Sequence, residues 1–211
     1  MTEFAITDAM LTYHGPRGPR RWEGWQRNFL EGLFVLYDDR AAMAVLRRAA
    51  GLTLAQALTL RGFPALFYGV LTVRPSEDIR PLWEKEKAMK AEQAAFITAV
   101  LFATYRRPGE LHPPIAEEGD MGTHLAESVA GKDSEDAAYK RMARRMSILL
   151  ATHFDQLADY LRQALGLLRA SQDRGTIPIQ WSQLFYDIQM WDEEDHPVQR
   201  RWAVHFWKER S

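Results

Sequence analysis

Apolar side chains recur along this chain at helical spacing, most clearly from Tyr139 to Ala170. At 100° per residue, Met142, Met146, Leu149, Leu150, Phe154, Leu157, Tyr160, Leu161, Ala164, Leu165 and Leu168 share one face. The pattern predicts one long amphipathic helix, broad enough on its apolar side to sit centrally in a bundle. Arg141, Arg144, Arg145, Arg162 and Arg169 occupy the other side, against only Asp155 and Asp159. In one continuous helix, Arg144, Arg162 and Arg169 would project within about 20° of one another. One side builds core, and the other offers cations.

The remaining pattern predicts further helices. HGPRGPRR, near the start, reads as a poorly structured turn. A first helix is expected from about Arg21 to Tyr37, with Trp22, Trp25, Phe29, Leu33 and Phe34 at helical spacing. Packing is the expected role of its two tryptophans, ahead of stacking on bases. A second helix follows, with Asp38 or Asp39 as N-cap and Gly51 as its stop. Arg40 and Arg47 nearly eclipse one another on it, with small Ala44 between them, and Arg48 adjoins. Leu52 to Val73 reads as a buried short helix, a turn at Gly62 and Pro64, and a second helical segment. That segment has no polar side chain to read a groove, which excludes a helix-turn-helix. Ser76 caps the next predicted helix, which runs to about Tyr105 and is nearly all apolar in its second half. From Arg106 to Asp136 the order lapses, with one short helix expected near Thr123 to Val129. After the long helix come a short one burying Trp181, Leu184, Phe185, Ile188 and Trp191, then a last one starting at Pro197. Val198, Trp202 and Phe206 form the buried stripe of the last helix. No period-2 alternation, Asn-Gly turn or repeat is present, so the expected fold class is all-α. The expected architecture is two small helical bundles, 20–105 and 137–211, joined by an irregular acidic linker containing Pro and Gly over 106–136.

Composition adds bounds. The 211 residues contain no cysteine, which excludes disulfides and thiolate chemistry. No apolar run approaches the roughly 18 residues of a membrane span, and the N-terminus does not resemble a secretory signal, so a cytoplasmic protein is expected. Net charge is −1, from 27 basic and 28 acidic residues, but it is segregated. Residues 137–174 carry a net +4 and residues 106–136 a net −5. A local phosphate-binding surface is compatible with that distribution.

Catalytic patterns are missing. Neither a phosphate loop nor a dinucleotide fingerprint occurs, and no serine elbow is present. The histidines form no H-x-x-x-H pair. His153, within the apolar arc of the long helix, is expected to be a hydrogen-bonded core residue. A di-iron bundle needs two E-x-x-H motifs, and the single match, Glu193 to His196, falls in a turn before Pro197. The acidic run Asp192 to Asp195 reads as a solvated loop. No catalytic site, metal or cofactor is expected; a hydrolase using that acidic turn is a remote alternative.

In the C-terminal half, ARRMSILL, LRQALGLLR, the IQW entry to a short helix, DIQMW and RRWAVHFW follow in an order that resembles the CasB family. CasB is the small subunit of the type I-E CRISPR surveillance complex, Cascade, which serves antiviral defence. DRAAMAVLRRAAG also looks like that family's N-terminal arginine-bearing helix, and together these segments cover about half the chain. Gln180 stands where the family commonly has an acid, which weakens capping of the following helix. The resemblance implies a non-catalytic helical protein whose basic surface holds nucleic-acid backbone and stabilises the R-loop. It implies as partners CRISPR RNA, the target and non-target DNA strands, the backbone and large Cascade subunits, and a second copy of the chain. Arg144, Arg145 and Arg162 match family arginines; Arg141, Arg169, Arg40, Arg47 and Arg48 come next. The rival reading is a helical protein–protein adaptor that binds no nucleic acid and uses Trp202 and Trp207 as anchors.

Overall fold

The computed structural model describes residues 5–78, 84–106, 114–170 and 176–208. Expected turn residues at 107–113 and 173–175 lie outside them, as does 79–83 of the helix predicted from Ser76 to about Tyr105. The chain is helical, as its pattern predicts, with one small addition. HGPRGPRR is ordered: β1 (Thr12–Gly15) pairs antiparallel with β2 (Gly18–Arg21), in register Thr12 to Arg21 and Gly15 to Gly18. Gly18 turns the chain at φ +99°, a conformation that glycine adopts without a steric penalty. The two strands escaped the reading because each is too short to show alternation.

Helix α1 (Gly24–Val35) begins after Trp22 and continues as a 3-10 turn to Asp38. Asp39 then caps α2 (Arg40–Arg48), accepting the Ala41 and Ala42 N–H groups at 2.9 Å each. Thr53 and Gln56 form a capping box at α3 (Leu54–Ala57). Gly62, at φ +85°, turns the chain into a π-helical stretch, Ala65–Val70.

The central element is α4 (Lys85–Tyr105), and not the stretch from Tyr139 to Ala170 that dominates the sequence pattern. From Ala94 to Ala103 every α4 residue is buried. A helix apolar on all sides must be enclosed, and α4 is packed by α2, by α7 (Phe154–Ala170) and by α8 (Trp181–Gln189). Phe34 and Tyr37 meet Phe102 from one side and Trp181 meets it from another, with ring centroids 5.1–5.9 Å apart. Each such side chain contributes roughly 1.5–3 kcal/mol on burial.

The acidic segment before residue 137 is more organised than its composition suggests, because its acids act as caps. Asp120 caps α5 (Met121–Ser128), the Asp133 carboxylate accepts two N–H groups in the next turn, and Asp136 caps α6 (Ala137–Leu150). Helix α5 lies against α9 (Pro197–Lys208) at very short range. A methyl group added at Gly122 would stand 2.2 Å from the Trp202 carbonyl oxygen. His124, within α5, is the buried histidine among the described residues: its Nε2 accepts the Gln180 N–H at 3.1 Å. His153 is exposed, which corrects the expectation of a core residue. It misled because the helix on which it was projected ends before it.

Gln180 also departs from expectation. Its Oε1 accepts the Ser182 N–H at 3.0 Å and so caps α8. Its Nε2 donates to the carbonyls of Ala9, Thr12 and Glu117 at 2.9–3.3 Å. An acid could make only the first of these contacts, since a carboxylate has no donor. The amide therefore caps the helix and ties down both the N-terminal segment and the entry to α5.

A buried charged cluster joins α5, α8 and α9. Arg201 bridges Asp120 and Asp187, Asp187 accepts from Gln183 and from the Trp202 indole, and His205 contacts Asp120 at 2.8 Å. Asp187 is fully buried, and burial pushes its carboxyl up to about 6 although Arg201 opposes the shift. Between about pH 4 and 6 the folded chain thus holds a proton here that the unfolded chain has released. This group's contribution to stability is greatest below about pH 4 and declines as pH rises through 6.

Gly122→Ala should destabilise the protein by about 3 kcal/mol or more, because the obstacle is backbone; an unchanged urea midpoint would contradict the close approach. In urea titrations across pH 4–7, the stability advantage of the wild type over Asp187→Asn should grow as pH falls; an advantage that grows toward pH 7 would contradict the assigned direction.

Candidate functional site

Helices α6 and α7 replace the single predicted helix. The break at 151–153 is specific: the Thr152 hydroxyl donates to the Ile148 carbonyl at 2.8 Å, and the Trp191 indole donates to the Thr152 carbonyl at 2.9 Å. The apolar positions still face inward, with Met142, Met146 and Leu149 buried on α6 and Leu157, Leu161, Leu165 and Leu168 on α7. The cationic positions no longer form one axial row. Arg144 belongs to α6, and Arg162 and Arg169 belong to α7, so a projection down one common axis does not apply.

Arg141, Arg144 and Arg145 are exposed on α6 and rim an open cleft of about 590 Å³. Its floor is apolar: Val129, Met142, Ile148 and Leu167, of which Ile148 and Leu167 are 38 % and 36 % exposed. Arg145 donates to Gln163 Oε1 at 2.6 Å, which links the α6 cations to α7 one residue from Arg162. Arg162 pairs with Asp159 at 2.9 Å across one turn. That pair is half-exposed, and such pairs contribute little to stability. Arg162 also lies beside Gly51, whose added methyl would stand 3.8 Å from the guanidinium. It borders a second cleft of about 380 Å³, between the end of α2, α4 and α7.

The other candidates divide. Arg40 and Arg48 are exposed without a hydrogen-bond or ion-pair partner among the described residues. Arg47 is exposed, and its Nε donates to the Met43 carbonyl at 3.2 Å. Ala44, between Arg40 and Arg47, is exposed and leaves the approach to both open. Arg169 donates to the Thr104 carbonyl at 3.0 Å and secures the last turn of α4, which is a packing role. The α6 trio thus shares one cleft, whereas Arg162 borders another, beside Gly51 in the turn that follows α2. Arg40 stands apart at the far end of α2. Arg201 is a cation that the sequence pattern left unassigned, and the structure turns it inward.

The exposed guanidiniums of this arrangement can hold an anion. Guanidinium groups are permanently charged and suited to bidentate contact with phosphate oxygens. Among the described residues, no group of three or more His, Asp or Glu is placed to hold a metal ion. Within the acidic turn, Glu193 lies 3.7 Å from Lys90. Among the same residues no helix is long and apolar enough to cross a membrane.

Comparison with known proteins bears on this architecture. The model of the family described as CRISPR-associated protein Cse2 matches residues 42–207. No curated protein sequence matches the chain significantly. The fold is shared with the crystal structure of M. ruber CasB (22 % identity, TM-score 0.63, covering 89 % of this chain and 95 % of that one). It is shared also with CasB from Thermobifida fusca (20 % identity, TM-score 0.61, covering 86 % and 94 %). A Cse2-family protein from Thermus thermophilus is similar too (20 % identity, TM-score 0.58, covering 89 % and 99 %).

Proposed function

Because the chain belongs to the CRISPR-associated Cse2 family, we propose that it is the non-catalytic small subunit of a type I-E CRISPR RNA-guided surveillance complex. In this reading it acts in the cytoplasm and holds nucleic-acid backbone with its arginine surface. We assign residues 20–105 and 137–211 to two lobes, with 106–136 between them. The observation that carries the reading is the α6 trio: Arg141, Arg144 and Arg145 rim one cleft with no carboxylate among its lining residues. Arg162, Arg47 and Arg48 extend the surface; Arg40 is a separate contact, and Arg169 supports the helix that presents Arg162.

The role follows from electrostatics. Exposed guanidiniums bind phosphate without reading sequence, which RNA–DNA pairing supplies in such complexes. Opening a DNA duplex against a guide RNA is nearly balanced in free energy, so a few phosphate contacts on a displaced or target strand shift it toward the open form. CRISPR RNA, both DNA strands, the backbone and large subunits and a second copy of the chain are the partners this role requires. The neutral total charge implies weak binding by the isolated subunit and stronger binding in the assembly. The adaptor reading loses half its basis, since Trp202 is fully buried and only Trp207 remains accessible as an anchor.

Titration of the purified protein with single-stranded DNA across a salt series tests the proposal. Arg144→Glu with Arg145→Glu should weaken binding and flatten the plot of log affinity against log salt by about 1.4, or about 0.7 for each lost contact. Binding that is absent at low salt, or indifferent to the double reversal, favours the adaptor.

A further inference from the structure

The hairpin β1–β2 precedes the family-matched residues 42–207 and is a second cationic surface. From Thr12 to Arg21 it contains Arg17, Arg20 and Arg21 and no acid. Arg21 is paired with Asp8. Arg17, at the turn, and Arg20, on β2, are exposed and have no hydrogen-bond or ion-pair partner among the described residues.

The hairpin is firmly seated, which distinguishes it from a loose charged loop. The His14 N–H donates to Gln183 Oε1 at 2.6 Å, and the Trp22 indole donates to the Ser182 carbonyl at 3.3 Å, both on α8. Tyr13 stacks on Tyr186 with ring centroids 4.5 Å apart and lies 4.4 Å from Trp22. Both tyrosines are only partly buried. Arg20 is the cross-strand partner of Tyr13. Unpaired guanidiniums beside partly exposed stacked aromatics form the combination that engages single strands, cation to phosphate and base to ring.

We propose that the hairpin is a separate contact for single-stranded nucleic acid, with Arg17 and Arg20 on phosphates and the Tyr13–Tyr186 pair as a base-stacking shelf. The inference shares with the preceding reading only the class of partner, since none of its residues belongs to the α6 or α7 surface.

The test uses the full chain with a thymidine oligonucleotide. Arg17→Gln with Arg20→Gln, at exposed unpaired positions, should leave circular dichroism unchanged and flatten the salt plot by about 1.4. Tyr186→Leu, checked for folding in the same way, should weaken binding by about tenfold. An unchanged slope in the hairpin variant overturns the inference, even if Arg144→Glu with Arg145→Glu abolishes binding, in which case the α6 reading stands alone. A hairpin effect without an α6 effect supports the inference and removes the α6 reading. A hairpin variant that binds DNA normally but fails to join other subunits identifies an acidic protein surface as its partner and also overturns the inference.

Discussion

Enclosure of α4 is the constraint from which the rest of the architecture follows. Its second half has no polar side to give to water, so α2, α7 and α8 must all reach it. That requirement sets the end of α2 beside α7, near Arg162, and draws the ring of Trp181 against Phe102 and Tyr105. Arg169 joins the same enclosure by satisfying the Thr104 carbonyl near the end of α4. The candidate surface is therefore a by-product of core packing: side chains left over on the outward faces of α6 and α7 are the ones that carry charge.

Much of this was legible, and the failures have physical causes. Helices with a period of 3.6 and a clear cap appear where expected: α2 behind Asp39, α8 with its four buried apolar residues, and α9 starting at Pro197. The break between α6 and α7 was not legible, because the apolar stripe continues through it in phase. Its cause is a contact distant in sequence, the Trp191 indole on the Thr152 carbonyl. His153 and the projected arginine row both went wrong for that one reason. The importance of α4 was under-read because an element that is apolar all round has almost no amphipathic signal. Acids between residues 106 and 136 read as part of an irregular linker, yet Asp120 and Asp136 are helix caps, a use that composition cannot display.

The candidate site was legible in its residues and not in its grouping. Sequence order named the arginines, but only tertiary contacts separate those available to a ligand from those already engaged. Arg141 and Arg144 have no partner among the described residues, Arg145 is held by a neutral amide, and Arg169 is committed to a backbone carbonyl. Cations left unneutralised over an apolar floor keep their attraction for a polyanion, whereas Arg201, set between Asp120 and Asp187, has none to spare. The difference between a binding arginine and a structural one thus lies in its neighbours.

The most direct measurement is a high-resolution structure of the chain within an assembled complex carrying guide RNA and opened target DNA. The account requires the Arg144 and Arg145 guanidinium nitrogens to lie at charge-assisted hydrogen-bond distance, about 2.7–2.9 Å, from phosphate oxygens. Side chains directed into water, or sealed against carboxylates of a neighbouring subunit, would contradict it.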